Sequence, residues 1–396
     1  MKKYVQVGCG YRGILSYAVP LVKKYGDCAQ LCGVYDINPK RAALVSEYAG
    51  AEIPVFDDFH KMLEEVKPDK VIITTTDCFH DVYAIAAMEA GCDVIVEKPV
   101  TTTFEKALAI QEVQEKTGRD ITVTFNLRFH PFFYRLKKIV ASGILGDILS
   151  VHYEWMLGVS HGSDYFRRWH AEREKSGSLL VHKSTHHFDI ANWLLEQDPV
   201  SVNAYGTRRF YGPVREKRSV RCLDCPYKGE CEHYFDITKG DNKKLYYDCE
   251  DADGYYRDQC VFGERINIED SLSVSVQYSG GTVMSYSLTA YSPYEGMRIV
   301  LNGSKGRMEA TNVGNNVRII LLNGEEYKIE LPKDGTADHG GADANLEDCL
   351  FRGCDEDPLG QMAGLRAGMM SIGIGMAANI SLKEKRQVEL GEFYKG

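Results

Sequence analysis

Four groups of residues in this 396-residue chain have types and spacings suited to chemistry. The first is Gly8-Cys9-Gly10-Tyr11-Arg12-Gly13, which follows the short apolar run Tyr4 to Val7 and opens a helical stretch reaching about Lys24. In that setting Gly8 permits a tight turn, Gly10 lets the backbone approach a pyrophosphate, and Gly13 lets the helix pack on the strand. Phosphates then sit at a helix N-terminus with unpaired N–H groups. Asp36 closes a second apolar run, Gln30 to Tyr35, 23 residues past Gly13. A carboxylate there binds both ribose hydroxyls and repels a 2′-phosphate, so NAD is favoured over NADP. Arg41 complicates this reading, because it could stack on adenine or neutralise a phosphate.

The second group is Glu97-Lys98-Pro99, at the end of the apolar run Val94 to Val96. Open parallel sheets bind ligands at that edge, and a lysine ammonium there can hold a reacting hydroxyl and stabilise developing alkoxide charge. The third group is His182, Lys183, His186, His187 and Asp189. His186 has an intrinsic pKa suited to taking a proton from an alcohol. If the helix already begins by His182, then His182, His186 and Asp189 share a face, and His182 or Asp189 orients the His186 ring. The acceptor could instead be His182. Lys183, on a neighbouring face, adds a charge that depresses an imidazole pKa. His187 falls on the side of Ile190 and Leu194 and reads as core. His182 and His186 also have zinc-site spacing, but no Glu follows the first of them, so the hydrolytic zinc pattern is absent. Arg168 and His170 could contact substrate hydroxyls, with a solvated loop as the competing reading. His339 stands before Asp343, for which helix N-capping is the plain role.

The fourth group is a cluster of five of the twelve cysteines. Cys222 and Cys225 have the spacing of two ligands to one metal, and Cys231 could complete a knuckle with Cys260. Cys249 or His233 are substitutes. A structural zinc is the leading expectation, with an iron–sulfur cluster, free thiols or a disulfide as alternatives. Tyr234, Tyr246, Tyr247, Tyr255 and Tyr256 make the segment aromatic enough to form a lid over a sugar.

The elements that must position these groups come in two kinds. The first hundred residues alternate short β-branched strands with helices: Val71 to Thr74, the helix from His80 to Ala90, then Val94 to Val96. That alternation predicts an α/β domain with a doubly wound parallel sheet over residues 1–125. In the second half, Ser271 to Tyr278 and Thr282 to Leu288 alternate apolar and polar residues around Gly280-Gly281, which predicts a hairpin and an antiparallel sheet. Residues 126–396 therefore read as an α+β domain, interrupted by the Cys-rich insertion at about 208–265. Helices are expected over Ala344 to Leu350 and Gly360 to Ile380.

Composition excludes several classes. The formal charge is −9, so no basic nucleic-acid footprint is expected. Lys2 and Lys3 precede too short an apolar run for a secretory signal, and Ala367 to Ile380 is too short to span a bilayer. Cytoplasmic residence and reduced cysteines follow as expectations.

Taken together, the glycine fingerprint and Glu97-Lys98-Pro99 resemble the Gfo/Idh/MocA oxidoreductases. Further pieces agree: Thr74 to His80, Phe125 to Phe129, Gly143 to Gly146, His186-His187-Phe188-Asp189 with Trp193-Leu194, and Asn302 to Gly306. The resemblance covers nearly all of the chain outside residues 208–265. It implies a Rossmann domain followed by an α/β domain with an open, mostly antiparallel sheet. It also implies NAD(P)-dependent oxidation or reduction of a sugar, polyol or derivative, and a homo-oligomer, dimer or tetramer, packed through the open sheet. It places Tyr11, Arg12, Thr75, His80 and Glu97 at the cofactor, Lys98, His186, His182 and Asp189 at the reaction, and Arg128, Arg168, His170, Lys183 and His339 at the substrate. Family members often carry Asp where His182 stands. Two other readings remain: a glycosidase that oxidises transiently and restores its NAD, and a non-catalytic NAD- or metal-sensing protein.

Overall fold

The computed structural model describes residues 1–330, 341–354 and 356–394. Five parallel strands open the chain: β1 (Lys2–Val7), β2 (Ala29–Tyr35), β3 (Lys70–Ile73), β4 (Asp93–Val96) and β5 (Ile121–Val123). They lie in the order β5-β4-β3-β1-β2, and the two-residue strand Ala363–Gly364 adds an antiparallel edge beside β5. The register puts Val7 level with Tyr35 and Ile73, Ile73 with Val96, and Val96 with Val123. All five strands therefore end along one line. The residues that follow them, Gly8, Asp36, Thr74 to Asp77, Lys98 and Thr124 to Asn126, emerge at a common crest. Val5, Val7, Val71, Ile73, Val94 and Val96 are fully or almost fully buried, as expected of a sheet covered on both faces.

The second sheet has nine strands. Its labelled members are β6 (Ile148–Gly158), β7 (Pro199–Thr207), β8 (Ser271–Tyr278), β9 (Val283–Ser292), β10 (Gly296–Gly303), β11 (Gly306–Thr311), β12 (Asn316–Leu321) and β13 (Glu326–Glu330). The order is β13-β12-β11-β10-β6-β9-β8-β7, closed by Val388–Glu389. Every pairing is antiparallel except β6 with β9. Along β8, Leu272, Val274, Val276 and Tyr278 point into the core while Ser273, Ser275 and Gln277 are exposed. This period of two leaves one open, polar face. The helices Ser184–Leu195 and Leu365–Glu384 pack on the inner face. The glycines in the second helix serve that packing: a Cβ on Gly375 would meet the Leu180 carbonyl oxygen at 2.3 Å. The close approach fixes the short helix Leu179–His182 and, through it, His182.

The insertion leaves the second domain after β7 and crosses to the first. Its short helices Gly240–Leu245 and Glu250–Asp253 dock against the Rossmann domain around Asn38 to Tyr48. Asn38 Nδ2 donates to the Cys249 carbonyl at 2.8 Å, Lys40 pairs with Asp251, Tyr48 donates to Asp241, and Lys244 pairs with Glu47. Tyr211, Val261 and Phe262 join the large core that also holds the second sheet, and Leu245 joins the Rossmann core around Tyr4, Ile14 and Val34.

Anchoring to those two cores stands where a metal staple was expected. Among the described residues no three His, Cys, Asp or Glu side chains gather where they could hold a metal ion. Cys222 Sγ accepts from Arg167 at 3.5 Å, Cys249 Sγ faces the Lys244 carbonyl, and Cys225, Cys231 and Cys260 are half-buried free thiols. The ordering comes instead from the buried Arg221, which pairs with both Asp258 and Glu250. The zinc and iron–sulfur expectations at Cys222, Cys225, Cys231 and Cys260 are corrected accordingly. So is the expectation of reduced thiols throughout, because Cys349 and Cys354 form a disulfide at the end of the helix Ala342–Phe351. Among the described residues no helix is long and apolar enough to cross a membrane.

Candidate functional site

A cavity of about 840 Å³ runs between the crest of the first sheet and the inner edge of the second domain. Its cofactor end is made of backbone. Gly8 has φ +91°, and a Cβ on Gly13 would meet the Gly8 carbonyl oxygen at 2.4 Å, so strand, turn and helix can approach only as glycines. Over Gly10, the one atom of the described residues beyond its chain neighbours within 4 Å of where a Cβ would stand is the Tyr246 hydroxyl, at 3.6 Å. This cradle fits a pyrophosphate. Asp36 stands beside it, held by the amides of Cys9 at 2.6 Å and Asn38 at 2.7 Å. Arg41 is spent on Asp36 and on Asp253 of the insertion, so its charge is already met.

Three expected cofactor residues, Arg12, Glu97 and His80, serve the walls. Glu97 accepts from Arg12 and from Tyr17, each at 2.7 Å, and Arg12 also forks onto Asp343 at 2.8 and 2.9 Å. Asp343 therefore ties the helix Ala342–Phe351 to the glycine turn; the helix is capped by Gly341 rather than by Asp343. His80 is fully buried, with its two ring nitrogens on the carbonyls of Pro99 and Thr75. Both networks border the cavity and hold the loop that carries Lys98.

On the cavity wall, Lys98 Nζ donates to the His182 carbonyl at 3.2 Å. His182 Nδ1 lies 2.5 Å from Asp77 Oδ2, across the domain boundary. Sequence reasoning quoted the Thr74 to His80 loop but missed Asp77. The available signal was a carboxylate in the loop that follows a strand at the ligand-binding edge. Burial, reinforced by the Lys98 charge, holds the His182 pKa well below its ordinary value. Burial raises Asp77, against the opposing pull of Lys98. Burial lowers Lys98, against Asp77 and Glu97. A neutral imidazole with Nδ1 facing Asp77 leaves Nε2 as the acceptor. His186 also borders the cavity.

Of the two expected orienting partners of His186, His182 borders the same cavity and Asp189 does not. Asp189 is 1% exposed and gripped bidentately by Arg128 at 2.7 and 2.8 Å, and Arg128 also donates to the Gly360 carbonyl. Neither residue lines the cavity. The carboxylate at i+3 is claimed by a guanidinium from the crossover segment, which corrects the catalytic reading of Asp189 and the substrate reading of Arg128. His187 is buried, stacked on Trp155 at 3.9 Å and bonded to Tyr286, as core.

The substrate end is made of charged and aromatic side chains. Arg168 pairs with Asp164 at 2.7 Å, and Arg257 of the insertion pairs with the same carboxylate. His170 lies 4.1 Å from the His182 ring, stacks on Trp169, and is held neutral by burial and the Arg168 charge. Lys183 enters the same space beside Tyr165. Tyr246, Asp253, Tyr255 and Arg257 bring the insertion to the cavity wall, a contribution legible beforehand only as tyrosine content. His339 lies outside the described residues.

Comparison with known proteins agrees with this geometry. A model of an oxidoreductase family's NAD-binding Rossmann fold matches residues 2–125, and one of its C-terminal alpha/beta domain matches residues 137–390. The oxidoreductase YteT of Bacillus subtilis (strain 168) is 34% identical, over 100% of this chain and 99% of its own. An inositol 2-dehydrogenase of Saccharopolyspora erythraea is 30% identical over 51% of this chain and 56% of its own. Among solved structures, a levoglucosan dehydrogenase with NADH and levoglucosan bound superposes with TM-score 0.72 at 18% identity, covering 98% of this chain and 99% of its own. An Agrobacterium radiobacter oxidoreductase with NAD+, L-tartaric acid and magnesium has TM-score 0.71 at 18% identity, covering 99% of both chains.

Proposed function

This chain belongs to the Gfo/Idh/MocA family and is an NAD-binding oxidoreductase; on that premise we propose that it oxidises or reduces a secondary hydroxyl of a sugar, glycoside or cyclitol. Lys98 holds the reacting oxygen, and His182 takes its proton at Nε2. Asp77 orients the ring, and His186 borders the same oxygen as the second imidazole. In the oxidation direction the C–H hydrogen leaves as hydride, which is what NAD accepts when bound, and the O–H proton goes to His182. The Lys98 ammonium stabilises negative charge growing on oxygen as the proton departs.

The observation that carries the reading is the meeting of Lys98 with the Asp77–His182 pair at the crest where the glycine cradle ends. In the named relatives, inositol and levoglucosan dehydrogenases act on compounds of this class. The proposed homo-oligomer uses the open polar face of the second sheet, and analytical ultracentrifugation reads its size.

The test is a panel of sugars, cyclitols and glycosides incubated with NAD or NADP and read for both reduced cofactor and released aglycone. NADH formation with a member of the panel is expected. Aglycone release without net NADH replaces the reading with a redox glycosidase. Tight NAD binding with no turnover and no consequence of Lys98→Ala replaces it with a sensor.

A further inference from the structure

Among the described residues, one ammonium lining this end of the cavity has neither a hydrogen bond nor an ion pair. Asp164 is shared by Arg168 and Arg257, Lys175 is held by Glu172 at 2.7 Å, and Asp77 faces His182. Glu295 accepts from the Gly158 amide at 2.7 Å and from His161 at 3.2 Å. Lys183 is 9% exposed, yet its ammonium makes no hydrogen bond or ion pair with any described residue. It lies 5.3 Å from the Trp155 ring centroid and 5.9 Å from that of Tyr165, and it borders the cavity. Glu295 and Lys98 are the charges it feels, one attracting and one repelling.

An ammonium carried on a largely buried side chain to a cavity wall loses part of its hydration and gains no anion in exchange. Two aromatic faces offset part of that loss, but they cannot accept its hydrogens as an oxygen would. Position adds the rest of the case. Lys183 directly follows His182, whose carbonyl holds Lys98, so the unspent cation stands next to the reacting centre. A substrate whose reacting hydroxyl lies at Lys98 would present a neighbouring substituent to Lys183.

We infer that the substrate is a polyhydroxylated acid, a sugar or cyclitol relative bearing a carboxylate that pairs with Lys183. This rests on the reading of the site as a dehydrogenase centre and names its substrate class. A carboxylate is chosen over a phosphoryl group on charge. One ammonium, with Arg168 and Arg257 already engaged by Asp164, matches a monoanion. A phosphoryl dianion calls for several donors or a bidentate arginine.

Binding and turnover separate this inference from the reading beneath it. Glucuronate, galacturonate, glucose and galactose are titrated by calorimetry into the NAD-saturated full-length protein, for the natural chain and for Lys183→Met and Lys183→Arg. Met keeps the length and apolar stem that pack between the rings, and melting curves confirm that each variant is folded. Each uronate is expected to bind about 10- to 100-fold more tightly than its neutral sugar, the range for a hydrogen bond to a charged group. Lys183→Met should bring the two within about threefold, and Lys183→Arg should restore most of the preference. Equal binding of acid and neutral sugar overturns the inference, as does a preference that survives Lys183→Met. Tighter binding of glucose 6-phosphate than of either uronate overturns it in favour of a phosphoryl substituent. A Lys183-dependent uronate preference without NADH formation upholds the inference and fails the dehydrogenase reading alone.

Discussion

The two ends of the cavity are built from different materials. The cofactor end is backbone: glycine Cα atoms, the helix-terminal amides behind them, and one carboxylate fixed by two further amides. The substrate end is side chain: Lys98, His182, Asp77, Arg168 and Lys183, drawn from both domains, with Tyr255 and Arg257 from the insertion. A ligand that is always the same can be held by geometry that tolerates no change. A ligand that differs between relatives must be held by groups that can be exchanged without disturbing the fold. The division predicts that damage at the two ends has different kinetic signatures.

The largest effect belongs to the reacting centre. Lys98→Met should lower kcat by about 10³, the loss expected when a charge-stabilising donor is removed, while the KM for NAD moves far less. Steady-state kinetics with both substrates varied reads this. Equal changes in the two constants would erase the contrast between the ends.

Next come the two halves of the cross-domain pair. His182→Asn removes the proposed acceptor and should cost about 10²–10³ in kcat. Asp77→Asn keeps the imidazole but loses its orientation, and should cost roughly 10-fold to 10²-fold. The pH profile adds a signature that simple misfolding does not produce. His182 must be neutral to accept a proton, and burial with the Lys98 charge holds its pKa well below 6.5. Oxidation should therefore be flat through neutral pH and fall only as pH drops through that depressed value. Lys98 must be protonated, and its pKa is lowered from 10.5. Activity should thus also fall as pH rises through the lowered lysine value, a limb that Lys98→Met abolishes. An acid limb at or above pH 6.5 would assign the proton to another group.

At the cofactor end, Asp36→Asn removes the carboxylate from the ribose position. The KM for NAD should rise about tenfold, and discrimination against NADP should relax because the charge that repels a 2′-phosphate is gone. Parallel titrations of the two cofactors check it. If kcat falls as far as the KM rises, Asp36 acts on the reacting centre and the division fails.

The same contrast explains what could be read from the chain alone. Gly8, Gly10 and Gly13 announce themselves because their task forbids a side chain, and Lys98 stands in a compact motif on the same line of strand ends. The period of two in β8 and β9 likewise discloses the second sheet and its polar face. The Asp77–His182 pair was not legible: its members are 105 residues apart, and a lone aspartate in a loop carries no pattern. Asp189 misled for the opposite reason. Its helical spacing to His186 is real, but spacing cannot reveal that Arg128 arrives from another segment to claim it. The cysteines misled in the same way, with metal-ligand spacing along the chain and thiols turned to separate partners in space.

The insertion joins the two ends, and its effect should be the smallest and the most diagnostic. The Tyr246 hydroxyl accepts the Tyr11 N–H at 3.1 Å, taking an amide at the helix N-terminus where a phosphate would be bound. A pyrophosphate entering the cradle must displace that bond. The protein therefore sets an internal hydrogen bond, worth about 0.5–1.5 kcal/mol net, against the cofactor. Tyr246→Phe removes the competing oxygen and leaves the ring and its packing against Tyr255. NAD should then bind about two- to tenfold more tightly, measured by fluorescence titration, with kcat little altered. Weaker binding by the same factor would instead put the hydroxyl on the cofactor as a donor. The segment would then be part of the cofactor end, and the boundary between backbone and side-chain recognition would have to be drawn elsewhere.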